Sequence, residues 1–312
     1  MQDVIRAVGL DLFLLQLEGG SFEGRLFTLR LAPLFFLWFQ IKRPLHATGA
    51  KPKGVLSVTL DLDPHAGEVP WRSHGLALPV NSLFGVDVLG DVHFTIPANV
   101  NFAVMLLPIP VLEQWALRLG WLGFDGELLP RSNVVLTNPR SSAGLRRYLR
   151  RLLALAEQRQ DRLLSPERQE LILNDLIPLL LEALGSGPAA NRGVIRPPAR
   201  IDIVKEAQRW LHANPTAPIT LADLCREVHA SRRTLLQGFQ DHLGMGPMAY
   251  LKILRLHGMR RWLLRAEPGE LQIGAVAETW GFLNAGHFAA DYRRLFGEAP
   301  RDTLRRSRPR LS

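Results

Sequence analysis

The sequence contains a single cysteine, Cys225, among its 312 residues. One cysteine excludes an intramolecular disulfide and a cysteine-based structural zinc site. The most apolar run, Leu31–Ile41, has eleven residues and includes a proline, whereas a membrane-spanning helix needs about 20. No basic segment followed by a long apolar core stands at the start of the chain, which predicts a cytoplasmic protein without a signal peptide or a membrane partner.

Lysine is also scarce, because five of the 38 basic residues are lysine and the others are arginine. This bias is typical of a GC-rich genome, and arginine also suits bidentate contacts to phosphate and guanine. The formal net charge of the chain is +9, of which residues 196–312 carry +8 and residues 1–195 carry +1. The basic surplus therefore points to a nucleic-acid partner for the C-terminal third of the chain.

The chain is long enough for about two domains, and its N-terminal third has short β-type runs separated by turn residues. Many short strands with regular turn signals are typical of a sandwich or barrel. We therefore expect residues 1–110 to form a β-rich, cupin-like (jelly-roll) regulatory domain within an α+β protein. The predicted strands are Phe22–Leu31, Leu34–Ile41, Gly54–Leu62, His93–Ile96 and Asn101–Leu107.

Residues 111–184 change to the three-to-four spacing of amphipathic helices. Ser165 and Pro166 form a good start for a helix over 166–184, after a first long helix over 145–160. This segment could pack on its own domain or serve as a dimerisation and connector element. The Gly- and Pro-rich residues 185–200 predict a linker, followed by an all-helical domain over 201–308.

The helical domain contains an internal repeat with an offset of 53 residues. Gly244 and Pro247 of the first copy match Gly297 and Pro300 of the second copy. Each copy consists of a helix, a short turn, a second helix and a Gly-x-x-Pro stop, which is the layout of a helix-turn-helix motif. The predicted motifs cover residues 220–243 and 271–296.

Both copies contain landmarks at fixed spacing. The first copy has Ser231, Leu235, Phe239, Gly244, Pro247, Tyr250-Leu251 and Arg255; the second has Gly281-Phe282, His287-Phe288, Tyr292 to Gly297, Pro300 and Arg305. With these landmarks, the domain is similar to the DNA-binding domain of AraC/XylS family transcriptional regulators. The resemblance covers about residues 200–308.

The resemblance implies a bacterial, sequence-specific DNA-binding transcription regulator, commonly an activator. Implied partners are double-stranded DNA, RNA polymerase, a small effector at the N-terminal domain and a second copy of the chain, with the protein associated with the nucleoid. It also places base contacts on the outward face of the first reading helix, where arginine can bind guanine and glutamine can pair with adenine. The matching positions hold Arg233, Leu236, Gln237 and Gln240, and the flanking Arg232 is a further candidate.

The second reading helix has small side chains at three of its four equivalent outward positions, namely Gly286, Ala289 and Ala290, and Arg293 at the fourth. Base-reading candidates nearby are Asn284, His287 and Arg293. We therefore expect the first helix to supply most of the sequence readout and the second to position the protein through phosphates and DNA shape. The predicted phosphate contacts are Arg255, Arg260, Arg294 and Arg305.

The two copies are joined by a predicted helix over residues 247–266. Its length of about 30 Å at 1.5 Å per residue suits the separation of successive major-groove faces, about 34 Å.

The N-terminal domain lacks the His-x-His spacing with a nearby Glu that a metal-binding cupin would need. Asp61, Asp63 and His65 have suitable side chains but stand in an apparent turn beside Pro64. We therefore expect no metal, no cofactor and no enzymatic activity, and the sequence identifies no effector-binding residue. The alternatives are a cupin-type enzyme fused to a DNA-binding domain and an architectural DNA binder without a sensor.

Overall fold

The computed structural model describes residues 5–6, 9–64, 70–87, 90–120, 133–159, 163, 165–185, 200–266 and 272–306. His65, nearly all of the predicted linker and the first residue of the second predicted helix-turn-helix motif lie outside these residues. The chain divides into two compact units. The first unit comprises Met1–Leu14, Gly24–Lys42 and Ala47–Arg196, and the second comprises Leu15–Glu23, Arg43–His46 and Pro197–Ser312.

The β-rich character predicted for the N-terminal part of the chain is confirmed, with two sheets ordered β1-β4-β9-β6-β7 and β11-β8-β5-β10-β3-β2. The cupin-like jelly-roll subtype stays a prediction. The strands are β1 (Asp11–Gln16), β2 (Gly24–Leu31), β3 (Leu34–Ile41), β4 (Leu45–Ala50), β5 (Val55–Asp61), β6 (Arg72–Ser73), β7 (Leu76–Ala77), β8 (Ser82–Phe84), β9 (Asp91–Ile96), β10 (Val100–Pro108) and β11 (Val134–Leu136).

β3 is a central strand of the six-stranded sheet and pairs antiparallel with β2 and β10. Apart from Gln40, its side chains are apolar on both faces, which is typical of a strand that is covered on both sides. Phe36 and Trp38 pack into the core shared with the helices of the first unit, whereas Phe39 stacks on Phe102 with ring centroids 4.7 Å apart. Phe84 of β8 meets Phe94 of the other sheet at 5.4 Å, so aromatic rings fill the space between the sheets.

In the described part of the first unit, three helices come after β10, and β11 lies between the first and second of them: α1 (Ile109–Arg118), α2 (Pro139–Arg159) and α3 (Pro166–Gly185). The buried stripes of α2 and α3, which include Leu149 and Leu176, belong to the same hydrophobic core as the six-stranded sheet. The two long helices therefore pack on their own unit. Each also leaves a large apolar side chain in solvent, Leu155 at 41% exposure and Leu171 at 63%.

The second unit is helical, as predicted, apart from the two short segments that it takes from the N-terminal part of the chain. Its helices are α4 (Ile201–Ala213), α5 (Leu221–Glu227), α6 (Arg232–Leu243), α7 (Pro247–Leu263), α8 (Ile273–Thr279), α9 (Ala285–Phe296) and α10 (Pro300–Arg306).

The linking helix α7 contributes to two separate hydrophobic cores. Tyr250 and Leu254 pack with α4, α5 and α6, whereas Met259 and Leu263 pack with α8 and α9. α7 has 17 residues and ends three residues earlier than expected, which makes it about 26 Å long. Each helix-turn-helix copy thus has its own core, and α7 is the element common to both.

Candidate nucleic-acid interface

The first reading helix, α6, begins and ends at residues suited to helix termini. The Ser231 side chain caps the helix by accepting a hydrogen bond from the Thr234 backbone N–H at 3.1 Å. Gly244 ends it in the left-handed conformation, with φ of 68°. The preceding helix, α5, begins with a capping box between Thr220 and Asp223, whose hydrogen bonds from Thr220 lower the pKa of the Asp223 carboxyl.

The four-residue spacing of α6 separates a buried face from an exposed one. Leu235, Phe239 and Leu243 are buried in the core of the first copy. All five base-reading candidates of this helix are exposed, and with Gly246 they surround an open hollow of about 620 Å³. These five side chains are Arg232, Arg233, Leu236, Gln237 and Gln240.

The exposed face of α6 carries two cationic groups and two amides that can act as hydrogen-bond donors. One amide has a partner within the helix, since Gln237 Nε2 donates to Asp241 Oδ1 at 2.6 Å. This contact can hold the Gln237 side chain in place while leaving its carbonyl oxygen as an acceptor. Chemically, the face can present donors to base edges in a major groove.

The second reading helix, α9, is built on the same scaffold. Asn284 caps it by accepting from the His287 backbone N–H at 2.9 Å, and Gly297 ends it with φ of 71°. Because the Asn284 Oδ1 atom serves as the cap, its ability to accept from a base is reduced. His287 and Arg293 are exposed.

The outward side of α9 is small and apolar, as the sequence indicated. Gly286, Ala289 and Ala290 are exposed, and none of these side chains can hydrogen-bond to a base. Sequence reasoning missed Leu283, which stands in the turn before the helix and is 90% exposed. The signal for it was an apolar residue among the turn residues Gly281 to Asn284.

The four predicted phosphate-binding arginines fall into two groups. Arg294 and Arg305 have exposed side chains, each paired with an aspartate three residues earlier in its helix. Arg260 is directed inside the unit, where its guanidinium pairs with Glu298 at 2.8 Å and lies over the Phe296 ring at 4.6 Å.

Arg255, the fourth, is half-buried and also bonds within the unit. Its Nε atom donates to the Pro215 carbonyl oxygen at 2.8 Å and its Nη2 atom donates to the Ala217 carbonyl oxygen at 2.7 Å. Burial lowers the pKa of this guanidinium, although an arginine stays charged at neutral pH. Arg255 and Arg260 thus hold the domain together, and any phosphate contact they make would come in addition.

In the described ranges, no three His, Cys, Asp or Glu side chains come together as a metal site would require. Within the same residues, no helix has the length and apolar character needed to cross a bilayer.

Comparison with known proteins places the second unit among regulators of transcription. A family model described as a helix-turn-helix domain matches residues 224–306. The chain is 43% identical over 108 residues to a probable thc operon regulatory protein of Rhodococcus erythropolis, covering 35% of this chain and 32% of that protein. The aligned region thus spans about a third of that relative's length.

Two further similar proteins are covered over most of their own length. XylDLEGF operon transcriptional activator 2 of Pseudomonas putida is 34% identical over 125 residues, which are 40% of this chain and 77% of that protein. The crystal structure of a probable AraC family transcriptional regulator from Rhodopseudomonas palustris is 38% identical, with 35% of this chain and 99% of that chain covered and a TM-score of 0.33.

Proposed function

Because the chain belongs to the AraC family of transcription regulators, we propose that it activates a bacterial operon by binding duplex DNA through both helix-turn-helix copies. The observation that carries this proposal is the exposed face of α6, where the five base-reading candidates lie together around one hollow. The Pseudomonas putida relative is a transcriptional activator by name, which supports activation over repression here.

We assign direct base readout chiefly to α6. Arg232 and Arg233 suit guanine O6 and N7, Gln237 and Gln240 suit adenine N6 and N7, and Leu236 suits a thymine methyl group. All five side chains are exposed before DNA binds, so none has to leave the core to reach a base.

We assign a smaller share of base readout to the second copy, through Asn284, His287 and Arg293. Leu283 adds an apolar side chain that can contact a thymine methyl group at the start of α9. The exposed Arg294 and Arg305 are the best placed of the four arginines to contact phosphates.

The first unit serves as the regulatory part in this proposal, responding to a small effector without enzymatic chemistry. The relatives of the chain are transcription regulators, which supports a non-enzymatic role. RNA polymerase is the proposed partner at the promoter, and the site of action is the bacterial nucleoid in the cytoplasm.

A homodimer is proposed through the outer surfaces of α2 and α3, where Leu155 and Leu171 are exposed. Sedimentation of the full chain tests this: the proposal expects a dimer that Leu171→Glu converts to a monomer. A wild-type chain that sediments as a monomer at micromolar concentration would exclude the dimer.

The central experiment selects duplexes from a random library with the full chain and maps bound sites across the bacterial chromosome. The proposal expects a two-part motif with its stronger base preferences in one half, upstream of genes whose transcripts fall when the regulator is deleted. An Arg233→Ala, Gln237→Ala double variant should lose that stronger half of the motif. A Lys53→Ala variant of the first unit, also lacking one positive charge, should select the wild-type motif. No enrichment of any duplex would overturn the proposed function.

A further inference from the structure

One face of the linking helix α7 holds the second helix-turn-helix copy. Lys252 forms an ion pair with Asp291 of α9. Three residues further on, Arg255 lies so close to the turn of the second copy that a Cβ added at Gly281 would be 2.6 Å from its Nη1 atom. After three more residues, the Trp280 ring occupies the space that a Cβ at Gly258 would fill. Because residues three apart share a helix face, these contacts form one continuous docking surface.

Arg255 differs from the other residues of this surface because it also reaches the first copy. Its Nε and Nη2 atoms donate to the carbonyl oxygens of Pro215 and Ala217, which lie in the loop that precedes α5. The planar guanidinium has a fixed geometry and can make two parallel bonds while its third nitrogen faces elsewhere. Here that third nitrogen, Nη1, faces the Gly281 turn that leads into α9.

We infer that Arg255 is a positioning residue that sets the distance and angle between α6 and α9, and thereby the spacing between the two DNA half-sites that the chain accepts. The inference rests on the proposed function. The loop held by Arg255 leads into the first helix-turn-helix copy, and the turn against it leads directly into the second reading helix. The guanidinium of Arg255 therefore contacts both the loop that precedes α5 and the turn that precedes α9.

This role and a phosphate contact predict different measurements. A phosphate contact releases counterions, so its loss lowers the dependence of log K on log salt by about 0.9. A positioning residue releases no counterions from DNA, so its loss leaves the dependence of log K on log salt unchanged. It instead weakens the discrimination between DNA sites whose half-sites are differently spaced.

The experiment uses the full chain and a two-part duplex selected by the wild type, together with derivatives that have one base pair inserted or removed between the half-sites. We expect the wild type to bind these derivatives at least about tenfold more weakly, the size of one mismatched position. Arg255→Ala should bind the original duplex more weakly but discriminate among the three spacings by less than about threefold. Its salt slope should equal that of the wild type.

Three further variants keep the inference falsifiable. Arg255→Lys retains the charge but cannot make both carbonyl bonds in the same plane, so it should lose spacing discrimination as well. Gly281→Ala places a methyl group against an intact Arg255 and should do the same. Arg294→Ala is the matched control, with a shallower salt slope and unchanged spacing discrimination. If circular dichroism shows that Arg255→Ala does not fold, Arg255→Lys and Gly281→Ala provide the test.

Two results would overturn the inference. One is a shallower salt slope for Arg255→Ala with full spacing discrimination, which would assign Arg255 to a phosphate. The other is a wild type that selects a single half-site or tolerates all three spacings equally, since no spacing is then set. Failure of the wild type to select any duplex is a separate outcome and counts against the proposed function, taking this inference with it.

Discussion

The two helix-turn-helix copies can be compared position by position, because they keep the same scaffold and differ in what they expose. Gly244 and Gly297 end the reading helices with φ of 68° and 71°. The four matched outward positions, however, carry one arginine, one leucine and two glutamines in α6 but one glycine, two alanines and one arginine in α9. The two copies thus share their helix ends and core positions, while α6 has three hydrogen-bonding side chains at these positions and α9 has one.

The largest expected effect comes from removing one reading arginine in each copy. Arg233→Ala should lower affinity for the selected duplex by about 1–3 kcal/mol and relax preference at one base position. Arg293→Ala should weaken binding to all duplexes and relax base preference much less than Arg233→Ala does. Binding assays on singly mutated duplexes measure both, and an equal loss of discrimination from the two variants would refute the division of labour between copies.

Lowering the pH tests whether the two cores are destabilised equally when a buried histidine is protonated. His212 lies against Tyr250 of the first core and His257 against Phe296 of the second. Burial lowers the pKa of each from 6.5 to about 4. Between pH 6.5 and pH 4 the unfolded chain therefore binds more protons than the folded chain. The free energy of unfolding is highest above about pH 6.5 and decreases as the pH falls toward 4.

The expected loss is at most about 3 kcal/mol of unfolding free energy per histidine. Urea unfolding at pH 7.5 and pH 4.5 measures it, and His212→Phe and His257→Leu should each reduce the difference between the two pH values. His229→Asn changes an exposed histidine and should keep the wild-type difference. Wild-type pH dependence in both buried-site variants would contradict this account.

The paired C-terminal glycines should differ in how well they tolerate a methyl group. Gly244→Ala should cost about 1 kcal/mol of unfolding free energy, from left-handed backbone alone, because no atom lies within 4 Å of the added Cβ. Gly297→Ala should cost about 2–3 kcal/mol, since its Cβ would also lie 2.8 Å from the Ser21 nitrogen. Gly274→Ala, in open space within α8, should be neutral or stabilising. Equal costs at 244 and 297 would show that the Ser21 contact relaxes.

The smallest effect concerns the first helix of each copy. Thr220 makes a side-chain cap at the start of α5, whereas Gln272 at the start of α8 makes none. Thr220→Ala should therefore lower the free energy of unfolding by about 1 kcal/mol, and Gln272→Ala should leave it within about 0.5 kcal/mol. Thermal unfolding of the two variants beside the wild type decides whether this asymmetry exists.

The reading helices were predictable from sequence because their boundaries are local. Ser231 and Asn284 cap the helices and a glycine follows each of them, so α6 and α9 end at residues 243 and 296, where the two predicted motifs end. β4 was missed because Pro44 and Thr48-Gly49 indicate turns when read locally. Its strand conformation depends on pairing within the sheet between β1 and β9, which no local signal reveals.

The side-chain roles of the arginines could be predicted only in part. An exposed helix position and a basic side chain suffice to propose Arg233 or Arg294 as a DNA contact. The bonds of Arg255 depend on carbonyl groups about forty residues earlier in the chain. The bond of Arg260 depends on Glu298, which is distant in sequence as well. Such long-range pairings follow from tertiary packing and have no periodicity to mark them.

The separation of α6 into a buried stripe and an exposed face also bears on how the binding preference of this chain can change. Leu235, Phe239 and Leu243 provide the packing, and none of the five outward side chains takes part in it. Substitutions at the outward positions can therefore accumulate with little effect on folding, within about 0.5 kcal/mol at each exposed site. A library randomised at these positions would remain largely foldable, which makes α6 a suitable place to retarget the regulator to a new promoter.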